Sequence, residues 1–221
     1  MKRNIDINEV SDGKLYELND MVKAGCDGCK NCHACCEDMG GSIVLDPLDI
    51  YNMTSYLSIT FEELLPEYIE LNVVDGIILP NIKMNGLSKK CRFLNEEGRC
   101  SIHSARPGIC RLFPLGRIYE DRSFKYFFQV HECPKENKSK VKIKNWLDIK
   151  NINAYEAFIT RWHYLLADLQ DKVLEGADDQ TAKNVSMYIL QSFYIAKYSN
   201  EYDIYEQLNT RLDSALKTFG L

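Results

Sequence analysis

Cys26-Asp27-Gly28-Cys29-Lys30-Asn31-Cys32-His33-Ala34-Cys35-Cys36 puts five thiols into eleven residues, four of them at intervals of three. Thiolates this close repel one another unless a cation neutralises them, and a bound metal deprotonates the thiols it takes up. Burial of cysteine as a small apolar side chain produces no such period. The run therefore reads as metal ligands, and the surrounding chain as a small module stapled by metal.

Working outward, four more cysteines follow at wider spacing: Cys91, Cys100, Cys110 and Cys133. The turn Asn95-Glu96-Glu97-Gly98 is placed to bring Cys91 and Cys100 together. Cys110 follows Arg106-Pro107, where proline fixes a turn or the first position of a helix. These four are positioned to complete one or more sites begun by the first block. Nine cysteines in 221 residues is an odd number. The start Met1-Lys2-Arg3-Asn4-Ile5-Asp6 leads into no apolar stretch of signal-peptide length, so metal is a better reading than a disulfide framework. A cytoplasmic location is expected. No run approaches the ~18 apolar residues of a membrane helix, and a net charge of −5 argues against nucleic-acid binding by the molecule as a whole.

The pattern around the cysteines mixes both kinds of secondary structure. Residues 1–25 read as a polar lead-in, and residues 42–45 as a short strand. Asp46-Pro47 introduces a helix through Ile50, Met53 and Leu57, and Thr60 with Glu63 forms a capping box for a second helix that contains Pro66. Asp75-Gly76 joins two short apolar runs as a hairpin, and a second hairpin turns at Asp121-Arg122. Residues 135–144 read as a basic linker. Beyond it, Tyr155, Phe158, Trp162, Leu165, Leu166, Leu169 and Val173 recur at helical spacing up to Gly176, and stripes from Val185 and from Ile204 follow. The expected fold is α+β: a cysteine module over 26–134 and a helical C-terminal region over 145–221 packed on it.

The string from Cys29 to Cys36 resembles the signature Cys-x-x-Cys-x-x-Cys-Cys of the YkgJ-like cysteine-cluster family, a zinc- or iron-chelating group. Cys91-Arg92-Phe93-Leu94, Cys100 through Arg106-Pro107, and Cys110-Arg111-Leu112-Phe113-Pro114 are similar to its second block. Together they span about residues 26–133. The resemblance implies eight ligands: Cys29, Cys32, Cys35, Cys36, Cys91, Cys100, Cys110 and Cys133. His103 stands where the family carries tyrosine. Cys26 lies outside the signature and reads as a spare thiol. The cysteine block also resembles that of the flagellin lysine N-methylases, which implies an alternative reading as a protein lysine N-methyltransferase using S-adenosylmethionine. No Gly-x-Gly-x-x-Gly accompanies it, and whether the chain is an enzyme stays open.

Three successive two-residue gaps are closer to bacterial ferredoxin spacing than to the paired knuckles of structural zinc sites. The leading expectation is an iron–sulfur protein acting in redox chemistry or protein modification, with zinc and a zinc-stabilised interaction module as the alternative. A protein partner or substrate is left open. Residues 83–125 carry ten basic and four acidic side chains, net +6 before any thiolate is counted. Arg106 and Arg111, each within four positions of Cys110, are the candidates to offset the centre's negative charge from just outside its ligands. His103 and His131 read as neighbours of the site more than as ligands, and His33 and His163 as incidental to it.

Overall fold

The computed structural model describes residues 6–26, 29, 32–176 and 179–221; residues 1–5 of the lead-in lie outside these. The fold is α+β with a helical C-terminal region, and it divides into two compact units interleaved along the chain. One unit takes Gly41–Lys83 and Asn153–Leu221. The other takes the described residues up to Gly40 together with Met84–Ile152, and so holds every cysteine.

The cysteine-bearing unit is built on strands. After a single turn, α1 (Ile7–Val10), β1 (Ser11–Tyr16) pairs antiparallel with β6 (Ser123–Gln129), which also pairs with β5 (Leu115–Glu120). The β5–β6 turn has positive φ at both Asp121 and Arg122, the geometry that matches the twist of a two-residue hairpin. Gly116 faces the Phe127 ring so closely that a Cβ there would lie 2.3 Å from it. A second sheet pairs β2 (Met21–Gly25) with β7 (Ser139–Lys142). The lead-in thus forms two strands, and the basic segment expected to be a linker supplies β7 and the start of a short helix, α5 (Ile143–Leu147). These strands escaped the sequence reading because their partners lie over a hundred residues away and few of their side chains are buried. Val22, Ala24, Leu112, Leu115, Tyr126, Phe128, Ile143 and Leu147 form the core.

In the other unit, α2 (Pro47–Leu57) and α3 (Phe61–Glu67) both start at capping boxes, Asp46 with Asp49 and Thr60 with Glu63. Pro66 falls in the last turn of α3. β3 (Ile69–Val74) and β4 (Ile77–Ile82) form the Asp75-Gly76 hairpin in register. Residues 42–45 make only one bridge, Val44 to Asn81, rather than a strand. α6 (Ile152–Gly176) buries Tyr155, Phe158, Trp162, Leu165, Leu166 and Leu169. Next come α7 (Asp179–Ile189), a π-helical segment (Leu190–Ile195) and α8 (Ile204–Phe219). Arg211 ends the π segment by donating to the carbonyls of Ser192, Ala196 and Lys197. No helix among the described residues is long and apolar enough to cross a membrane.

Candidate metal centre

The three-residue period of the first block has a backbone counterpart. The Cys29 N–H donates to the Cys26 carbonyl at 3.2 Å and the Cys32 N–H to the Cys29 carbonyl at 3.1 Å. Ala34–Cys36 then forms a 3-10 turn, closed by Cys36 N–H on the His33 carbonyl at 2.8 Å. The side chains approach as well, and Cys26 Sγ lies 3.3 Å from Cys29 Sγ. Cys29 holds a φ of 57°, a left-handed conformation that costs a non-glycine residue about 1–2 kcal/mol.

The second block is folded onto the first through its backbone. Cys91 N–H donates to the Cys36 carbonyl at 2.8 Å, Asp38 N–H to the Lys89 carbonyl at 2.9 Å, and Glu37 bridges Lys90. Ion pairs Lys90–Glu37 at 3.3 Å and Lys89–Asp38 at 3.1 Å lie over the seam, but exposed pairs of this kind contribute little. Cys91 closes one small loop by bridging Met84, and Cys100 closes the next by bridging Leu94. The turn expected at residues 95–98 is there, with Gly98 N–H on the Asn95 carbonyl at 3.0 Å. Gly98 has a φ of 68° and sits against His33, whose Nδ1 would be 2.9 Å from any Cβ. Only glycine meets both demands. Cys110 is carried on α4 (Gly108–Leu112), which Pro107 caps.

None of the nine cysteines is in a disulfide, and all are half-buried. Their charges act on one another in a connected set: Cys29 with Cys26 and Cys35, Cys36 with Cys35, Cys91 and Cys110, and Cys100 with Cys35 and Cys91. Cys35 is the hub. Cys32 joins through its backbone, and Cys133 accepts Lys138 Nζ at its carbonyl at 2.8 Å. Backbone N–H groups of Phe93 and Leu94 hydrogen-bond to the Cys91 sulfur, and that of Ile102 to Cys100, which favours the thiolates a metal needs.

The arginines divide the work. Arg106 acts on Cys29, Cys35 and Cys100 and stands 3.1 Å from His103 Nε2. Its Nε is buried with no hydrogen-bond partner among the described residues, a shortfall of about 1–3 kcal/mol. Arg111 hydrogen-bonds backbone carbonyls: Arg106 at 3.3 Å, Asp148 at 3.1 Å, and Ser104. It fastens the 104–106 turn. Arg99, not singled out from sequence, donates to the Cys29 carbonyl at 2.9 Å; the reach between positions 29 and 99 gave no local signal.

Among the described residues, no group of three or more His, Cys, Asp and Glu is arranged to hold a metal ion. The donor set nonetheless suits one. It is sulfur throughout, supplied with N–H donors and with the Arg106 guanidinium, whose Nε is buried without a hydrogen-bond partner among the described residues. A family model described as "Putative zinc- or iron-chelating domain", CxxCxxCC, matches residues 28–144. The chain belongs to this family. No solved structure matches it. The resemblance drawn from the two cysteine blocks is thereby confirmed, and metal binding by this CxxCxxCC domain with it.

The thiols of the CxxCxxCC domain are unequally held. Burial pushes Cys29 up to about 12, helped by the Cys26 hydrogen bond and against Arg106. The Cys36 hydrogen bond brings Cys35 down to about 7 despite burial, and Arg106 adds to it. That same bond, then burial, raises Cys36, while burial is the main cause of the rise at Cys91 and Cys100. A thiol raised in the fold stabilises it below the ordinary value of 9.0 and loses that contribution as pH climbs towards the folded value. A lowered one gains as pH rises.

Proposed function

We propose that the domain holds an iron–sulfur centre on thiolates drawn from Cys29, Cys32, Cys35, Cys36, Cys91, Cys100, Cys110 and Cys133, and that it serves electron transfer or the modification of a partner protein. The observation that carries this reading is the pair of backbone hydrogen bonds that link Cys29 to Cys26 and Cys32 to Cys29, at a spacing akin to that of bacterial ferredoxins. Such a centre supplies one-electron chemistry when bound. The chain's own part is to present sulfur at fixed spacing, to donate N–H bonds that lower the electron density on Cys91 and Cys100, and to offset negative charge with Arg106.

Zinc is the second reading, and a separate observation favours it. Two thiolates on one tetrahedral zinc stand about 3.8 Å apart, given metal–sulfur bonds of about 2.3 Å. The Cys26–Cys29 separation of 3.3 Å is close to that value. The lysine-methylase reading rests on the resemblance of the cysteine block alone.

Anaerobic purification followed by metal and sulfide analysis separates the two. Brown protein with iron, acid-labile sulfide and a broad visible band that bleaches on reduction is the expected result. Colourless protein with stoichiometric zinc and no sulfide overturns the iron–sulfur reading.

A further inference from the structure

Cys26 falls outside the eight-cysteine set and, from sequence, reads as spare. Its position is nevertheless fixed from two sides. It leaves directly from β2, whose last residue, Gly25, is in register with Ser139 of β7. That approach is close enough that a Cβ on Gly25 would meet Ser139 Oγ at 2.2 Å. On the other side, the Cys26 carbonyl accepts the Cys29 N–H at 3.2 Å, and the Cys29 carbonyl is tied to Arg99 of the second block at 2.9 Å. The two sulfurs then stand 3.3 Å apart. That is far beyond the ~2.05 Å of a disulfide. Two anionic sulfurs at this distance need a shared proton or a shared cation. Opening the pair by about 0.5 Å gives the separation of two thiolates on one tetrahedral ion.

We infer that Cys26 is a ligand of the centre, binding the same ion as Cys29 as one of a pair of thiolates. The inference rests on the metal-centre reading above. It makes the first block a four-step ladder, Cys26, Cys29, Cys32 and Cys35, with Cys36 beside it, so the domain carries nine donors rather than eight and a spare.

The test uses the full chain purified anaerobically with its metal. Alkylation by iodoacetamide is followed by mass spectrometry before and after removal of metal with EDTA and a ferrous-iron chelator. Metal loss to those chelators is timed in wild type, Cys26→Ser, Cys26→Ala and Cys91→Ser. Cys26 is expected to be protected in loaded protein and alkylated after chelation. The Cys26 variants should lose metal about tenfold faster or more. Cys26 reacting equally fast in both states, while Cys91 is protected, overturns the inference and leaves the metal centre standing. A Cys26–Cys29 disulfide in loaded protein overturns it too. Protection of neither thiol, with no metal retained, removes the centre and the inference together. Should a variant fail to fold, protection in the wild type decides.

Discussion

Chelating the metal is expected to release residues 84–106 and 32–40 to rapid hydrogen exchange while β5 and β6 keep their protection. The reason lies in how few apolar side chains hold the second block. Between residues 84 and 106 only Phe93, Ile102 and Ala105 are buried hydrophobics. That is little apolar area for some two dozen ordered residues, each costing about 1–2 kcal/mol of backbone entropy. Metal binding is folding energy in such segments, worth about 10–16 kcal/mol for structural zinc in isolated peptides, as large as the stability of a whole domain. The sheet around Tyr126 and Phe128 has its own core and needs no metal to persist. Exchange followed by mass spectrometry, with and without chelator, reads the contrast directly. Equal protection in both states would mean that the loops are held by something other than the thiols.

Replacing a single thiol of the second block is expected to be as damaging as replacing one of the first. Cys36 and Cys91 are joined by a backbone hydrogen bond and act on each other's charge, and Cys100 acts on both Cys35 and Cys91. Cys100→Ser should therefore strip the protein of metal as completely as Cys32→Ser, with a loss of several kcal/mol in urea unfolding of the loaded protein. Metal content by elemental analysis is the readout. A fragment ending near residue 70 that kept the full metal complement would show that the first block needs no help.

Much of this was legible in the sequence wherever the signal is local. Asp75-Gly76 and Asp121-Arg122 mark hairpins because a two-residue turn needs left-handed backbone at both positions. Thr60 with Glu63 marks a helix start because it caps orphan N–H groups, and Tyr155, Phe158 and Trp162 mark a helix by their period. The strands β1, β2 and β7 were not legible. Ser139-Lys140-Val141-Lys142 carries the charges of a linker, and only its pairing with Met21–Gly25 makes it a strand. The site shows the same split. The ligand run declared itself by spacing, whereas the Arg99 contact to Cys29 and the buried Nε of Arg106 depend on a chain reversal that no short window contains.

The interleaving of the two units sets an order of events during synthesis. Cys26–Cys36 leave the ribosome first, and Gly41–Lys83 follows with its partner helices, Asn153–Leu221, still unmade. Nearly a hundred residues separate Cys36 from Cys133, roughly 5–20 s of translation. For that interval the first thiols exist without the complete second block, exposed to oxidants and to stray metal ions. Yet the cysteine-bearing unit is finished at Ile152, before most of the helical unit has been made. The full set of thiols is thus present on a nascent chain whose other unit still lacks Asn153–Leu221, the helices that join Gly41–Lys83.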